Sequence, residues 1–374
     1  MSTRAPDTAA AGGMEMPGWL DRLGAFIDRT AGFWQKLGEL ESSAHRAELD
    51  RVRIDRPIYV AGIARSGSTI LLELLACQPG VATHRYRDFP PVYTPLFWNR
   101  AFAHVYRTDA PPTERAHKDR ILVTPDSPEA MEEVLWMRFF PGCHDNRKNQ
   151  VLDRTTSNPA FERFYVDHLK KILLVRGGGR YLSKGNYNLT RFAYLQKLFP
   201  DARFVVPVRE PLWHVASLMK QHRLFCAEES RDPRILRHMQ RVGHYEFGLD
   251  RRVINVGDEE AVRQIEQLWR DGEEARGWAR YWAMLYDFVL DQREADPALA
   301  AAVLLVRYED LCDRPEATLA SVFAHAGLPA TPAALAAMAA RLSQPTYYRP
   351  GFTPAEEEAI AGETARTRAR LGYA

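Results

Sequence analysis

The sequence lacks the features that define membrane-spanning, disulfide-rich and zinc-binding proteins. None of its apolar runs reaches the roughly 18 residues that a transmembrane helix requires. Its four cysteines, Cys77, Cys143, Cys226 and Cys312, lie too far apart for a zinc-binding spacing or a disulfide framework. The formal net charge of the 374-residue chain is only +2, whereas a protein that coats nucleic acid carries a larger basic excess. These absences favour a globular protein without nucleic-acid partners, in which local clusters of cations can still bind an anion.

The N-terminal segment does not have the pattern expected of a secretory signal. Residues 1–16 are small and polar and contain no apolar stretch of about 7–15 residues, so we expect disorder rather than a secretory signal peptide. A cytoplasmic protein is the resulting expectation. We expect a single domain over 17–374, with N-terminal helices at 17–50, a core at 57–330 and C-terminal helices at 331–374.

Apolar residues recur at helical spacing near the N-terminus. They are Trp19, Leu20, Leu23, Phe26, Ile27, Phe33, Leu37 and Leu40. This spacing predicts one or two amphipathic helices, and packing of the apolar stripe against the main body is the interpretation that it favours. The alternative is a surface for a partner or a membrane, on helices whose polar face mixes acidic and basic residues.

Short apolar strands alternate with helical segments through the rest of the chain. Strands are predicted at 57–63, near 173–175, at 203–208 and at 303–308. Helices are predicted at 69–75, 158–171, 189–199, 211–222 and about 260–293. The irregular segment 80–150 is expected to form loops over one end of the sheet. Because strands that alternate with helices favour a parallel sheet covered on both faces, we predict an α/β fold.

The first predicted strand is followed by a loop of the phosphate-binding type. The loop reads Gly-Ile-Ala-Arg-Ser-Gly-Ser-Thr; Gly62, Gly67 and Thr69 fit the pattern GxxxxGK[ST], whereas Ser68 replaces its lysine. Backbone N–H groups at the start of the next helix point at an anion in this geometry, and the helix dipole favours negative charge. The missing lysine disfavours ATP or GTP hydrolysis, while Arg65 supplies a positive charge from elsewhere in the loop. The predicted fold is therefore a P-loop-like three-layer fold with a central parallel sheet flanked by helices.

A second anion-binding element is predicted where the strand at 203–208 ends. The next residue is Arg209, not the acidic residue with which a nucleoside triphosphatase holds Mg²⁺. Neighbouring residues of a strand face opposite sides, so Glu210 points away from Arg209. Pro211 favours a helix start, which puts Ser217 about two turns into the helix. Arg209 and Ser217 can then converge on one phosphate; the alternative is a surface arginine and a solvated helix serine.

Taken together, these segments resemble the sulfotransferases that use 3′-phosphoadenosine 5′-phosphosulfate (PAPS). Three blocks occur in the family's order: residues 64–72 are similar to its 5′-phosphosulfate loop, residues 199–217 to its 3′-phosphate element, and residues 306–311 with 327–329 to its RYEDL…GLP segment. The resemblance spans about 57–330 and is nearest to the bacterial, carbohydrate-type branch. It implies sulfuryl transfer from PAPS, without a metal ion, to a hydroxyl group of a carbohydrate or glycolipid.

The resemblance also implies which residues bind the nucleotide. They are Arg65, Ser66, Gly67, Ser68 and Thr69 for the 5′-phosphosulfate, Arg209 and Ser217 for the 3′-phosphate, and Arg349 in a C-terminal loop that matches only loosely. Ser68 stands where threonine is commoner in the family, a mild departure because the hydroxyl remains. The lysine that cytosolic aryl-sulfotransferases carry in this loop is absent.

The catalytic residues are likewise implied by the resemblance. Relatives carry a carboxylate or a histidine as base some distance after the loop, and Asp88 aligns best with it. His84 is the alternative base, because an unperturbed histidine has a pKa near 6.5. An ion pair of Asp88 with Arg85 or Arg87 is the structural alternative. Lys184 lies where relatives carry a lysine near the transferring sulfonate; the alternative is a solvated loop lysine.

Two aromatic segments bear on the acceptor. Residues 89–106 and 135–140 are rich in aromatic side chains, and Glu132 and Glu133 precede the second segment. Aromatic rings with nearby acids suit sugar rings, and they suit the core of a loop equally well.

Two rival functions belong to other classes. A kinase with a degenerate phosphate loop is disfavoured by the missing lysine and the missing acidic strand end. A non-catalytic anion-binding protein of the same fold is disfavoured by the joint presence of Arg65, Lys184, Arg209 and Ser217. The sequence leaves the oligomeric state open.

Overall fold

The computed structural model describes residues 16–102, 112–114, 122–343 and 350–373. Of the segment expected to be disordered, Met16 alone is described, and its side chain is buried. None of the helices in these four ranges is both long enough and apolar enough to cross a membrane.

A parallel sheet lies at the centre of the described structure. The strands are β1 (Ile58–Val60), β2 (Val81–Ala82), β3 (Thr113–Glu114), β4 (Leu122–Val123), β5 (Arg180–Lys184), β6 (Arg203–Val208) and β7 (Val303–Arg307). Five of them pair in parallel in the order β2-β5-β1-β6-β7, whereas β3 and β4 form a separate antiparallel pair. The chain leaves β1 toward β2 on one side and leaves the adjacent β6 toward β7 on the other. The crevice at the carboxyl ends of β1 and β6 is therefore where an open α/β sheet binds its ligand.

Helices cover both faces of this sheet. The helices of the described residues are α1 (Gly18–Arg29), α2 (Ala31–Ala44), α3 (Arg46–Leu49), α4 (Ser68–Ala76), α5 (Pro95–Phe102), α6 (Glu133–Phe139), α7 (Pro159–Arg176), α8 (Phe192–Leu198), α9 (Pro211–Arg231), α10 (Pro233–Val242), α11 (Glu259–Arg270), α12 (Glu274–Ala295), α13 (Pro297–Ala302), α14 (Tyr308–Asp313), α15 (Pro315–Ala326), α16 (Pro332–Ala339) and α17 (Pro354–Arg370). Alternate residues of β1 point to opposite faces, so Ile58 and Val60 pack with α4 and α15 while Tyr59 packs with α7 and α12. The predicted three-layer α/β fold is confirmed.

The strand predicted near 173–175 is wrong. These residues end α7, which starts after the N-cap Asn158 and stops at Gly177, a glycine with φ of +63°. Ile172 and Leu173 are buried as part of the helix. The strand of the sheet follows as β5, after three glycines. A short continuous apolar run shows neither the period of a helix nor that of a strand. The sequence pattern alone therefore could not decide between a helix and a strand here.

The remaining predicted elements are confirmed with changes at their ends. The strands at 58–60, 203–208 and 303–307 lie where the sequence placed them. The long helix expected near 260–293 is two helices, α11 and α12, because Gly272 turns the chain with φ of +82°. The segment expected to be only loops contains β2, β3, β4, α5 and α6 among its described residues.

The packing predicted for the N-terminal apolar stripe is wrong for half of its residues. α1 packs on α10, where Arg241 Nη1 donates to Asp21 Oδ1 at 2.6 Å, and Ile27 is buried. The side chains that remain in solvent are Trp19, Phe26, Phe33 and Leu40, which are 63%, 54%, 60% and 59% exposed. Helical spacing therefore predicted the helices but not the face that they bury.

Candidate active site

The loop between β1 and α4 has the geometry of an anion-binding turn. Gly67 precedes α4 with φ of +102°, and a Cβ there would lie 2.7 Å from the ring of Tyr308, so only glycine fits. Arg65 also has a positive φ, of 71°, which is uncommon for a residue with a side chain. The first N–H groups of α4, at Ser68 and Thr69, have no partner within the helix and carry its positive dipole end.

The loop is fastened to α9, the helix of the second predicted element. Arg65 Nε donates a hydrogen bond to Ser217 Oγ at 3.3 Å. One turn earlier, His214 Nε2 donates to the carbonyl oxygen of Ala64 at 2.9 Å. Burial lowers the pKa of His214 to about 3, so its ring is neutral and the bond needs no charge. His214 is not among the predicted site residues, because nothing local in the sequence shows that α9 meets the loop.

Arg209 lies at the end of β6, as predicted, and is only 6% exposed. Its guanidinium carbon is 5.0 Å from the centre of the Tyr308 ring, and its carbonyl accepts a hydrogen bond from Trp282 Nε1 at 3.2 Å. Within the four described ranges, no carboxylate forms an ion pair with it. Glu210 turns away and accepts from the N–H of Trp213, where it caps α9. A buried cation in this position is stabilised by an anion that binds beside it.

The third predicted block holds the loop from the far side. Residues 306–311 form the end of β7 and the start of α14, and Tyr308 covers both Gly67 and Arg209. Glu309 accepts from the N–H of Glu210 at 2.9 Å and from the hydroxyl of Tyr373 at 2.8 Å. Arg349, the last predicted nucleotide ligand, lies outside the described residues.

A cavity of about 740 Å³ opens beside the loop. One wall contains Arg65, Ser68, Thr69 and Lys184, which the sequence analysis selected. Lys184 ends β5 and lies in register with Val60 of β1, which places it next to the loop. The structure thus brings these four predicted residues together, and Arg65 connects them to Ser217.

Asp88 does not line this cavity, contrary to its predicted role. Arg176 Nη2 donates to both of its carboxylate oxygens at 2.6 Å, and the N–H of Arg85 and the amide of Asn99 donate at 2.8 and 3.0 Å. Burial raises the pKa of Asp88, but the hydrogen bond with His84 and the charge of Arg176 outweigh it and hold the pKa below its usual range. A buried carboxylate with both oxygens occupied is a poor base, so this geometry argues against Asp88 as the general base.

His84 likewise does not line the cavity. Its ring stacks on that of His168 with centroids 5.0 Å apart, and the two Nε2 atoms are 3.0 Å apart. Burial lowers the pKa of His168 well below its usual value, so this partner is neutral. The pair belongs to the interior under β2 and α7, which argues against the alternative role of His84 as base.

Four glutamates that the sequence analysis did not propose as bases line the cavity: Glu129, Glu132, Glu133 and Glu246. Glu133 forms an ion pair with Arg191, whose two terminal nitrogens donate to its carboxylate oxygens at 2.6 and 2.9 Å. Burial raises the pKa of Glu133, but the charge of Arg191 and the bond to His144 lower it to about 2.

Glu133, Cys143 and His144 also form a cluster of metal-ligand types. The guanidinium of Arg191 already occupies the carboxylate of Glu133. Burial raises the pKa of Cys143 to about 12, which keeps the thiol protonated. This cluster is therefore poorly suited to a divalent cation.

Two more of these glutamates are held by hydrogen bonds. Glu132 Oε1 accepts from the hydroxyl of Tyr165 at 2.9 Å and from that of Tyr181. Glu246 Oε1 accepts from the amide of Asn186 at 2.7 Å, and its other oxygen lies 3.3 Å from a ring nitrogen of a neighbouring histidine.

Glu129 differs from the other three. Its Oε1 accepts from the N–H of Ala130 at 2.6 Å, and within the described part of the chain it forms no ion pair. Its own N–H donates to the carbonyl of His84 at 3.1 Å, so it lies beside the segment in which the base was predicted. No signal in the sequence could have found it, since His84, whose carbonyl it contacts, is 45 residues away in the chain.

The aromatic segment 135–140 is core rather than a platform for a ligand. Trp136 is fully buried, and its ring centre lies 4.3 Å from that of Phe161 and 4.3 Å from the guanidinium carbon of Arg191. From the other aromatic segment, Phe89 lines the cavity.

Comparisons with known proteins agree with this geometry. The model of the sulfotransferase family matches residues 57–255, slightly more than half of the chain. The structure is similar to sulfotransferase STF1 from Mycobacterium tuberculosis, with 19% identity over 91% of this chain and 86% of that chain and a TM-score of 0.50. It is also similar to STF9 from Mycobacterium avium, with 17% identity over 90% of this chain and 82% of that chain and a TM-score of 0.53. None of the curated proteins compared with the chain matches it.

The structural similarity and the match to the family model support different conclusions. Structural likeness at such low identity shows the fold alone. The family match covers β1, β5, β6 and both predicted anion-binding elements, which are the parts that build the crevice. The chain therefore belongs to the sulfotransferase family and is a transferase enzyme with a P-loop-like fold.

Proposed function

We propose that this enzyme transfers the sulfuryl group of PAPS to the hydroxyl group of an acceptor. The observation that carries the proposal is the contact of Arg65 with Ser217, because it joins two anion-binding elements at one crevice. PAPS has a phosphosulfate at one end of its ribose and a phosphate on the 3′-oxygen, so it needs two such elements close together.

Each element suits one end of the donor. The N–H groups that open α4, the side chain of Arg65 and the hydroxyl of Thr69 would bind the 5′-phosphosulfate. Arg209 and Ser217 would bind the 3′-phosphate, as a guanidinium fork and a hydroxyl donor. Arg209 supports this role because it is buried and no carboxylate of the described residues pairs with it.

The reaction needs hydrogen-bond donors that stabilise the negative charge as it shifts toward the leaving phosphate. The acceptor oxygen attacks sulfur, the bond from sulfur to the bridging oxygen of the phosphate breaks, and adenosine 3′,5′-bisphosphate leaves. Lys184, on the cavity wall beside the loop, is positioned to stabilise the sulfonate and the bridging oxygen. Removal of a single donor of this kind raises a barrier by roughly 2.7–4 kcal/mol in comparable sites.

The hydroxyl of the acceptor must also lose a proton, and we assign Glu129 as the base that takes up this proton. This side chain lines the same cavity as Arg65 and Lys184, and its carboxylate has no cation partner among the described residues. Of the other cavity glutamates, Glu133 is bound by Arg191, and the remaining two are held by tyrosine or amide donors. A carboxylate suffices because the proton leaves only as the transfer advances.

The acceptor class that we favour is a carbohydrate or glycolipid alcohol. The cavity volume of about 740 Å³ is ample for a sugar, and its lining includes apolar rings as well as the four glutamates. Phe89 and Phe247 offer apolar surface for a ring or a chain, and the acids offer acceptors for hydroxyl groups.

Turnover with labelled donor tests the function. The full chain is incubated with ³⁵S-labelled PAPS and a panel of sugars, glycolipids and simple alcohols, and in parallel with γ-labelled ATP. We expect transfer of the sulfur label and none of the phosphorus label. Transfer of the phosphorus label alone would favour the kinase, and binding of adenosine 3′,5′-bisphosphate without any transfer would favour the non-catalytic protein.

A further inference from the structure

The exposed faces of α1 and α2 form a regular pattern. The exposed residues alternate between large apolar and basic side chains, in the order Trp19, Arg22, Phe26, Arg29, Phe33, Lys36 and Leu40. The spacing of three and four residues places the first four on one face of α1 and the last three on one face of α2. We call this set the α1–α2 face. It contains four of the six large apolar side chains that are exposed among the described residues.

The basic residues of this face are available for another partner. Within the described ranges, Arg22, Arg29 and Lys36 form no ion pair or hydrogen bond through their side chains. Of the exposed acids of the same helices, Asp28 precedes Arg29, and Glu39 lies three residues after Lys36 and accepts a hydrogen bond from Gln35 at 2.9 Å. Within the described ranges, neither acid forms an ion pair with a basic residue of the face. The face is therefore apolar and cationic, although the whole chain is nearly neutral.

The opposite side of the same helices is fixed to the protein. Asp21 accepts from Arg241 of α10, and the main chain of Gly38 in α2 accepts from the buried Lys171 of α7 at 2.6 Å. The α1–α2 face is thus the outer surface of docked helices, and helix α1 cannot turn its aromatic residues inward without losing the contact of Asp21 with Arg241.

The face is continuous with the cavity of the active site. Trp19, its first member, lines that cavity together with Met16 and Leu20. Helix α10, on which α1 packs, contributes His238 and Met239 to the same wall. Apolar surface therefore runs from the helices into the space that would hold the acceptor.

We propose that the α1–α2 face binds the surface of an anionic lipid bilayer and that the cavity receives its acceptor from that surface. Aromatic side chains that alternate with basic ones suit the boundary between headgroups and acyl chains, where rings insert and cations pair with anionic headgroups. The lipid contact stands independently of the reaction. The statement about the acceptor rests on the proposed function and narrows it to an amphipathic alcohol with an apolar chain.

Vesicle co-sedimentation of the full chain tests this inference. The vesicles are phosphatidylcholine alone or phosphatidylcholine with phosphatidylglycerol, each at low and high salt. We expect binding to the anionic vesicles that weakens at high salt. The double variant Phe26→Ser/Phe33→Ser and the triple variant Arg22→Gln/Arg29→Gln/Lys36→Gln should each bind at least tenfold more weakly. None of these five residues lines the cavity.

Leu249→Ser is the matched control, because Leu249 is also exposed and lies outside the α1–α2 face. It should bind vesicles as the unmodified chain does, and unchanged thermal unfolding should accompany all three variants. Equal binding to neutral and anionic vesicles, or full binding by the double variant, overturns the proposal. So does a dimer in light scattering that the double variant dissociates, since a second copy would then cover the face.

Calorimetry with adenosine 3′,5′-bisphosphate separates this inference from the proposed function. Nucleotide binding without vesicle binding refutes the lipid contact and leaves the function standing. Vesicle binding without nucleotide binding refutes the function and leaves the lipid contact standing.

Discussion

Arg65 and Ser217 are 152 residues apart in the chain and meet through a hydrogen bond of 3.3 Å. The contact follows from the strand order, because β1 and β6 are neighbours and the segments that follow them, the β1–α4 loop and α9, meet at one crevice. His214 fixes the same two segments through the carbonyl of Ala64. One arginine therefore links both predicted anion-binding elements.

The first prediction concerns the nucleotide. Arg209→Ala should weaken binding of adenosine 3′,5′-bisphosphate by about 1.5–3 kcal/mol, the contribution of a charge-assisted hydrogen bond, and should change AMP binding little. The reason is that the 3′-phosphate is the only group that distinguishes the two nucleotides at Arg209. Isothermal calorimetry with both ligands measures the difference. Equal affinity of the unmodified chain for the bisphosphate and AMP would contradict the assignment of the 3′-phosphate element.

The second prediction concerns metal ions. Sulfuryl transfer should persist in excess EDTA, because the groups around the loop are Arg65, N–H donors and hydroxyls. The acids that follow Arg209 and Tyr308 in the chain are occupied: Glu210 caps α9, and Glu309 accepts from the N–H of Glu210 and the hydroxyl of Tyr373. The measurement is the initial rate with and without chelator. A loss of rate that Mg²⁺ restores would favour the kinase instead.

The third prediction concerns the base. Glu129→Gln keeps the shape of the side chain and removes its basicity, so turnover should fall by about 10²–10⁴-fold, the range for a lost acid–base group. Binding of the bisphosphate should hardly change, because the nucleotide elements lie elsewhere. Initial rates and calorimetry on the same preparation give both quantities.

Glu246→Gln is the matched control for that variant, since Glu246 lines the same cavity and already accepts from Asn186. Its effect on turnover should be much smaller. Loss of turnover in the control with full activity of Glu129→Gln would transfer the role of base to Glu246.

The fourth prediction concerns Asp88 as a structural residue. Asp88→Asn leaves the guanidinium of Arg176 buried without its counter-ion, which costs about 3–5 kcal/mol in the free energy of unfolding at neutral pH. The pKa of Asp88 is lowered in the folded protein, so its contribution is present above the unfolded value of about 3.9 and is lost as the pH falls toward the folded value. Urea unfolding at pH 7 and at about pH 2.5, well below the unfolded pKa, should show the difference shrinking at the lower pH. If Asp88→Asn is as stable as the unmodified chain but has no turnover, Asp88 is the general base and this prediction is wrong.

The fifth prediction concerns His214. Its pKa is lowered by burial to about 3 in the folded protein, whereas the unfolded value is about 6.5. As the pH falls, His214 is protonated in the unfolded chain before it is protonated in the folded protein. The neutral buried ring therefore makes its full contribution to the free energy of unfolding above pH 6.5. It falls by about 1.4 kcal/mol per pH unit between 6.5 and 3.

His214→Gln tests that dependence, because the amide of glutamine can still donate to the carbonyl of Ala64. Unfolding free energies measured from pH 7 to pH 4 should decline less steeply for the variant than for the unmodified chain. Parallel declines would show that the ring is protonated in the folded protein.

The sequence predicted the β1–α4 loop and the start of α9 because their signals are local. A strand, a glycine with positive φ and a helix start determine the loop at Gly67 within a few residues. Likewise, a strand end followed by Pro211 determines the position of Ser217 on its helix. Lys184 was found by resemblance and does line the cavity. The parallel α/β fold followed from the alternation of strands and helices, which also needs no long-range contact.

Only the tertiary structure decided which acid faces the cavity and which helix face remains in solvent. Asp88 stands at the expected distance along the chain, but Arg176 of α7 draws it into the interior, and Glu129 from a distant segment lines the cavity. Trp19 and Phe26 have the spacing of core residues, yet α1 meets α10 through its other side. Periodicity determines which residues share a face, whereas burial depends on the neighbour that packs against that face, and that neighbour lies far away in the sequence.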